Sequence, residues 1–190
     1  MATMLKKHIN FLSSLLLVLF AFLKSNAMPT KDVYSLCKES SEVDFCMKNI
    51  GSDKRVVAAR DFYDIFLIAV SRTQIIVDTG PLVISGEDTR KNYYNEPFEK
   101  NWVAVCEEKY EIAVNSFQKA RVVGEKMNKS LTDRMEMSQL TEAGFEAVLD
   151  CQDEWTKILE HEQACPFSYW YHKVRKLIKI TRVIVKRLNA

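Results

Sequence analysis

The chain has 190 residues, 47% of them hydrophobic, and its formal net charge at neutral pH is +2. It contains only five glycines and four prolines, too few for a β-sandwich with many tight turns, and this scarcity favours helices. The length suits one domain preceded by a short leader.

The N-terminal segment follows the plan of a secretory signal. Two lysines are followed by an almost wholly apolar stretch over residues 11–23. The segment Ser25-Asn26-Ala27 then places small residues at the two positions that a signal peptidase reads. A membrane-spanning helix needs about 20 apolar residues, so this stretch is too short to be an anchor. We expect cleavage after Ala27, which makes residues 1–27 a signal peptide and residues 28–190 a secreted, extracellular domain.

Cleavage would also change the charge of the chain. It removes Lys6, Lys7 and Lys24 and no acidic residue, so the formal net charge falls from +2 to −1. A mature protein of that charge is not a general binder of polyanions, and we expect no nucleic-acid partner. We also expect no membrane span in the mature protein, because no later segment is judged apolar enough.

Four segments of the mature chain carry apolar residues at helical spacing. They predict helices over residues 54–77, 97–123 and 135–161, and a fourth that begins after Pro166 and Ser168 and reaches Leu188. Gly80 and Pro81 would end the first helix, since glycine favours a C-terminal cap and proline cannot continue the hydrogen-bonding pattern. Four amphipathic faces can bury one another, which predicts an all-α, up-and-down four-helix bundle over residues 53–190.

Two connections between these helices are predicted to be polar loops. Residues 86–96 hold charged residues, asparagines and two tyrosines, and residues 124–134 include Asn128, Lys129 and Ser130. This triplet is an acceptor for N-glycosylation, so we expect Asn128 to carry a glycan in a loop that faces water.

The cysteines that remain after cleavage are Cys37, Cys46, Cys106, Cys151 and Cys165. In a secreted chain an odd number implies two disulfide bonds and one spare thiol, and four cysteines allow three pairings. Proximity favours Cys37 with Cys46, which would close a short helical hairpin within residues 28–52. Cys106 and Cys151 each lie in a helical apolar stripe, so they could clamp two packed helices.

A metal or catalytic site is the alternative use of a cysteine. His161 and Cys165 lie close in sequence with Glu160 and Glu162 beside them, but no CxxC or HxxxH spacing occurs. Only His161 and His172 remain after cleavage to activate a nucleophile, and the chain has no Gly-rich phosphate loop. We therefore expect no metal, no cofactor and no enzymatic activity.

The last predicted helix is strongly basic, and no acidic residue follows Glu162. Arg175, Lys179, Arg182 and Lys186 fall on one stripe of this helix. Such a stripe could bind an anionic partner, for example demethylated pectin or an acidic protein surface. The interpretation we favour is a solvated face that balances acidic neighbours within the bundle.

The spacing of the cysteines and their neighbours forms a longer pattern. The mature chain opens with Cys37 and Cys46, which are separated by eight residues. The second predicted helix carries Cys106, Tyr110 and Ala113 in a Cys-x3-Tyr-x2-Ala spacing. Each of these fragments alone is only weakly specific.

The third predicted helix adds Cys151, Asp153 and Trp155 at alternate positions, and Cys165 follows as the fifth cysteine. In this order and spacing the fragments resemble the plant invertase and pectin methylesterase inhibitor family. The resemblance covers essentially the whole mature chain.

This resemblance implies a four-helix bundle preceded by a helical hairpin, with disulfide bonds Cys37–Cys46 and Cys106–Cys151 and with Cys165 free. It also implies non-catalytic inhibition of a cell-wall or vacuolar carbohydrate-active enzyme. The partner would be another protein, bound non-covalently, and the outer surface of the bundle would cover its active-site cleft.

Two observations concern the target enzyme. Invertase inhibitors of the family carry Pro-Lys-Phe between the second and third bundle helices, and residues 124–131 lack it, which favours pectin methylesterase. Invertase remains the alternative because residues 52–55 and 182–188 resemble invertase-type members. The predicted target contacts are exposed acidic positions of the second and third bundle helices, namely Glu108, Glu111 and Glu142.

Two interpretations of other classes remain open from the sequence. One is a secreted storage or allergen-like bundle without an enzyme target, which would be abundant and stable but form no complex. The other is a carrier that holds a small ligand in a cavity between the helices. A tightly packed core without a pocket would exclude the carrier.

Overall fold

The computed structural model describes residues 28–93, 97–126, 130–157, 165 and 167–188. The predicted signal peptide at residues 1–27, the predicted glycosylation site Asn128 and the histidine His161 lie outside the described residues. The signal peptide and the glycan at Asn128 therefore stay predictions.

Helices dominate the described chain, which contains no β-strand. An N-terminal hairpin is followed by four long helices, with one short helix between the first two. The hairpin consists of α1 (Thr30–Glu39), α2 (Val43–Cys46) and a π-helical turn (Met47–Gly51), and a 3₁₀ turn (Lys54–Ala58) leads out of it. The other helices are α3 (Phe62–Ile84), α4 (Glu87–Tyr93), α5 (Pro97–Glu125), α6 (Leu131–Thr156) and α7 (Ser168–Leu188).

The four long helices contact one another in a closed ring. Helix α5 packs between α3 and α6, and α7 packs against both α6 and α3. The largest fully buried side chains come from the bundle and the hairpin, among them Trp102, Tyr110, Phe66, Phe117, Leu36 and Ile50. Burying a side chain of this size contributes about 1.5–3 kcal/mol relative to leaving it exposed. The predicted all-α four-helix bundle with an N-terminal hairpin is confirmed.

The predicted bounds of the first bundle helix are wrong at both ends. The helix begins after Asp61, whose side chain accepts a hydrogen bond from the backbone N–H of Asp64, and residues 54–58 form the 3₁₀ turn instead. At the other end the helix continues through Gly80 and Pro81 to Ile84.

Packing explains why Gly80 does not end α3. The ring of Tyr110 lies against Gly80 so closely that a Cβ there would come within 2.2 Å of it. Val77 and Ile84 are fully buried on either side, so continuing the helix past Pro81 buries more apolar surface. Gly80 is thus a packing glycine and not a C-terminal cap.

The two connections predicted as loops are more helical than expected. Residues 87–93 form α4, and Tyr93 at its end packs edge-on against Trp102 and Trp155. Helix α5 extends to Glu125, and α6 begins at Leu131, where Ser130 accepts a hydrogen bond from the backbone N–H of Asp133 as an N-cap. Tertiary packing and a side-chain cap therefore shorten both connections.

Helix α3 is the one described helix whose length and composition would allow it to cross a membrane, with a mean hydropathy of 1.4 over its most apolar window. The expectation that no segment after the leader is apolar enough to span a membrane is therefore wrong, as far as length and composition are concerned. In the fold, α3 packs against α5 and α7 and buries Ile65, Phe66 and Val70 completely. Its apolar composition fits a helix that faces two neighbours.

Two disulfide bonds join the pairs that the family resemblance implies. Cys37 and Cys46 close the hairpin with a Cα–Cα distance of 5.4 Å, and Cys106 and Cys151 join α5 to α6 at 4.7 Å. Cys165 is a free and buried thiol. Burial raises the pKa of this thiol to about 11, so it stays protonated and is a poor nucleophile.

One buried carboxylate ties the hairpin to the bundle. Asp53 is 6% exposed and accepts hydrogen bonds from the backbone N–H and the guanidinium of Arg55. It also accepts a bond of 2.8 Å from Nε of Arg72 on α3. The hydrogen bond from the Arg55 side chain is the largest cause that lowers the pKa of Asp53 well below its ordinary value.

Asp53→Asn removes this charge and keeps the side-chain shape. We expect the free energy of unfolding at pH 7 to fall by about 1–2 kcal/mol, less than for a fully buried pair, because both arginines are half-exposed. A lowered pKa stabilises the fold above the unfolded value of about 3.9, so the difference should shrink as pH falls below that value. Urea unfolding of both proteins at pH 7 and pH 3 measures this difference in the free energy of unfolding. Exposed Asp44→Asn is the control, and equal stability of Asp53→Asn and wild type at pH 7 would contradict the prediction.

Gly80→Ala tests the close approach of α3 and α5. Helix propensity alone would favour alanine by about 1 kcal/mol. The contact with the ring of Tyr110 should reverse this sign and lower the free energy of unfolding by about 1–3 kcal/mol. At Gly51 a Cβ meets only the flexible end of Met47, so Gly51→Ala is the control and should be nearly neutral. A Gly80→Ala variant more stable than wild type in thermal unfolding would refute the packing argument.

Candidate interaction surface

Helices α5 and α6 form the most extensive helix pair of the described fold. The Cys106–Cys151 bond joins them, and Nε1 of Trp102 donates to the carbonyl oxygen of Cys151 at 3.2 Å. Further along, Gly144 of α6 lies against the ring of Phe117, where a Cβ would come within 2.7 Å. A covalent bond, a buried hydrogen bond and a close approach fix the pair, so its outward side is a rigid surface, named here the α5–α6 face.

Acidic residues occupy the end of the α5–α6 face nearer the disulfide bond. Glu108 and Glu111 are exposed on α5, and neither forms an ion pair within the described part of the chain, although Glu108 attracts Lys109 electrostatically. Asp150 on α6 is exposed and accepts a hydrogen bond of 2.7 Å from Nζ of Lys109, which raises the pKa of Lys109. The structure thus leaves the two predicted contact residues of α5 free to meet a partner.

A groove lies between α5 and α6 at the other end of this face. Its volume is about 430 Å³, and it is lined by Asn115, Gln118, Lys119, Val122, Val123, Lys126, Glu136 and Leu140. Val122 is 47% exposed, so its apolar surface is accessible from the groove. Reasoning from the sequence missed these residues because they come from two helices whose register is set by the disulfide bond.

The acidic end and the groove share one side of α5. Eleven residues of an α-helix make three turns to within about 20° and span about 16 Å. Glu108 therefore lies in line with Lys119, and Glu111 with Val122. A partner that covers one end of the α5–α6 face is within reach of the other.

Glu142, the third predicted contact, is placed differently. It accepts hydrogen bonds of 2.9 and 2.7 Å from Nε and Nη2 of Arg182 on α7, which raise the pKa of Arg182. Its side chain is 39% exposed. The structure thus uses Glu142 to join α6 to α7 and does not bring it together with Glu108 and Glu111.

The basic stripe of α7 is largely balanced within the fold. Lys179 donates to Glu42 of the hairpin at 2.8 Å, and this hydrogen bond lowers the pKa of Glu42. Arg187 and Lys186 approach Glu39 at 2.9 and 3.6 Å. These ion pairs support the interpretation of the stripe as a face that balances acidic neighbours.

The remaining candidates for chemistry were a metal site and a reactive thiol. Within the ranges that the structure describes, no three histidine, cysteine, aspartate or glutamate side chains are grouped to hold a metal ion. His172 is exposed on α7, and Cys165 is buried with a protonated thiol.

Comparison with known proteins identifies relatives of this chain. No family model matches it. The chain is 36% identical over 188 residues to pectinesterase inhibitor 5 from Arabidopsis thaliana, a match that covers 99% of both proteins. The fold is similar to the crystal structure of a mutant form of a pectin methylesterase inhibitor from Arabidopsis, with a TM-score of 0.60 at 17% identity, covering 82% of this chain and 95% of that one. With a full-length relative of this identity and the same fold, the chain belongs to the plant invertase and pectin methylesterase inhibitor family.

Proposed function

We propose that this protein is a secreted inhibitor of pectin methylesterase that covers the active-site cleft of the enzyme with its α5–α6 face. The observation that carries the proposal is a rigid helix pair with free charges, in a chain whose full-length relative is named a pectinesterase inhibitor. The complex is non-covalent and needs no catalytic group from this chain.

The rigidity of the α5–α6 face favours tight binding. An interface pays an entropic penalty when loops and side chains become ordered on association, and a preformed helix pair avoids most of the backbone part of it. A standard interface covers about 800 Å² on each partner, which the outward sides of two helices of 29 and 26 residues can supply.

Secretion is part of the proposal. The leader-like sequence of residues 1–27 and the two disulfide bonds both suit an oxidising extracellular compartment such as the plant cell wall. Pectin methylesterase is preferred as the target because residues 124–131 lack Pro-Lys-Phe and the similar full-length protein is a pectinesterase inhibitor.

An inhibition assay tests the class and the target together. Purified protein is titrated into pectin methylesterase and, separately, into acid invertase at mildly acid pH, and residual activity is measured. We expect pectin methylesterase activity to fall to a plateau at a one-to-one ratio, without consumption of the inhibitor. Full activity of pectin methylesterase at a large excess of inhibitor would refute the proposal, and inhibition of invertase alone would reassign the target.

Charge reversal at Glu108 and Glu111 tests which face binds. We expect Glu108→Lys and Glu111→Lys each to weaken inhibition by about 5-fold or more, through slower association and lost charge complementarity. Thermal unfolding should change little, because both side chains are exposed and neither forms an ion pair among the described residues. Asp44→Lys, the same kind of reversal on the hairpin, should leave inhibition intact. If the hairpin variant loses inhibition while the α5 variants keep it, the binding face is wrong.

A further inference from the structure

We propose that the groove between α5 and α6 receives an apolar side chain of the inhibited enzyme that has a carboxylate beside it. This inference rests on the proposed function and deepens it, because it names the chemistry of the partner at one end of the α5–α6 face. It is carried by the shape of the groove and by the charges around it.

The groove offers apolar contact to one side chain. Val122 and Leu140 supply apolar surface from opposite helices, and Val123 is buried beside them. Its volume of about 430 Å³ falls in the range of pockets that hold small-molecule ligands, so it is large enough for one side chain. An aliphatic or aromatic side chain would remove the exposed surface of Val122 from water.

The lysines of the groove are what select a carboxylate. Two other cations of α5 have partners, since Lys109 bonds to Asp150 and Arg121 pairs with Glu125, and Lys100 lies far from the groove near the start of the helix. Lys119 and Lys126 are exposed and form no ion pair with any of the residues that the structure describes. Both lie on the α5 side of the groove, where their charges are available to an acidic residue of a partner.

Glu136 restricts how the partner is oriented. It lines the groove from α6 and repels an acidic residue on that side. The occupant therefore places its carboxylate toward α5 and a neutral or basic group toward α6. Together with the acidic end at Glu108 and Glu111, the α5–α6 face has opposite charges at its two ends, which fixes the direction in which the enzyme can lie across it.

The test uses full inhibition curves against pectin methylesterase at low and high salt. Lys119→Glu combined with Lys126→Glu removes the carboxylate partners, and Val122→Asp places a charge on the apolar surface. We expect both changes to raise the inhibition constant about tenfold, and the lysine variant to lose the gain in affinity that wild type shows at low salt. Lys48→Glu, an exposed lysine of the hairpin, is the matched control and should stay within about twofold of wild type.

The outcomes separate this inference from the proposed function. Unchanged inhibition by both the Lys119→Glu, Lys126→Glu protein and the Val122→Asp protein would overturn the groove, while loss in Glu108→Lys would still support the α5–α6 face. A loss in Val122→Asp without any loss in the lysine variant would overturn the carboxylate. If wild type does not inhibit the enzyme at all, the proposed function fails and the groove with it. Thermal unfolding of each variant excludes misfolding as the cause.

Discussion

The disulfide bond between Cys106 and Cys151 is the constraint on which the outer surface of this protein depends. It holds the two Cα atoms 4.7 Å apart and thereby sets the register of α5 against α6. The same register brings Phe117 against Gly144 and forms the groove between Val122 and Leu140. Without a fixed register, the free charges and the apolar groove would not form one surface.

The charged residues fall into two groups, one in ion pairs between elements of the fold and one on its outer surface. Basic residues of α7 are used internally, where Lys179 and Arg187 hold the hairpin through Glu42 and Glu39 and Arg182 holds α6 through Glu142. On the outward side of α5, Glu108, Glu111 and Lys119 form no ion pair with any residue that the structure describes, whereas Lys109 pairs with Asp150. A partner can meet these unpaired charges without breaking an ion pair of the fold.

The sequence predicted the bundle because apolar stripes at helical spacing determine which faces are buried, and Trp102, Tyr110 and Val174 are buried as such stripes require. It failed where tertiary contacts override local signals, as at Gly80, which accommodates the ring of Tyr110 instead of ending α3. The exposure of Glu108 and Glu111 followed from helical position alone. The groove could not be predicted, since opposing Val122 and Leu140 requires knowing the disulfide pairing, which spacing leaves open.

The most direct test of the central claim removes the disulfide bond between α5 and α6 and leaves the residues of the α5–α6 face unchanged. In Cys106→Ala combined with Cys151→Ala, inhibition of pectin methylesterase is compared with wild type at a temperature where circular dichroism shows both proteins fully helical. If the locked helix pair is the inhibitory element, the variant should inhibit several-fold less strongly, because part of the binding free energy is then spent on ordering α5 against α6. An unchanged inhibition constant would contradict the account and show that a face other than the locked pair, or packing alone, is sufficient.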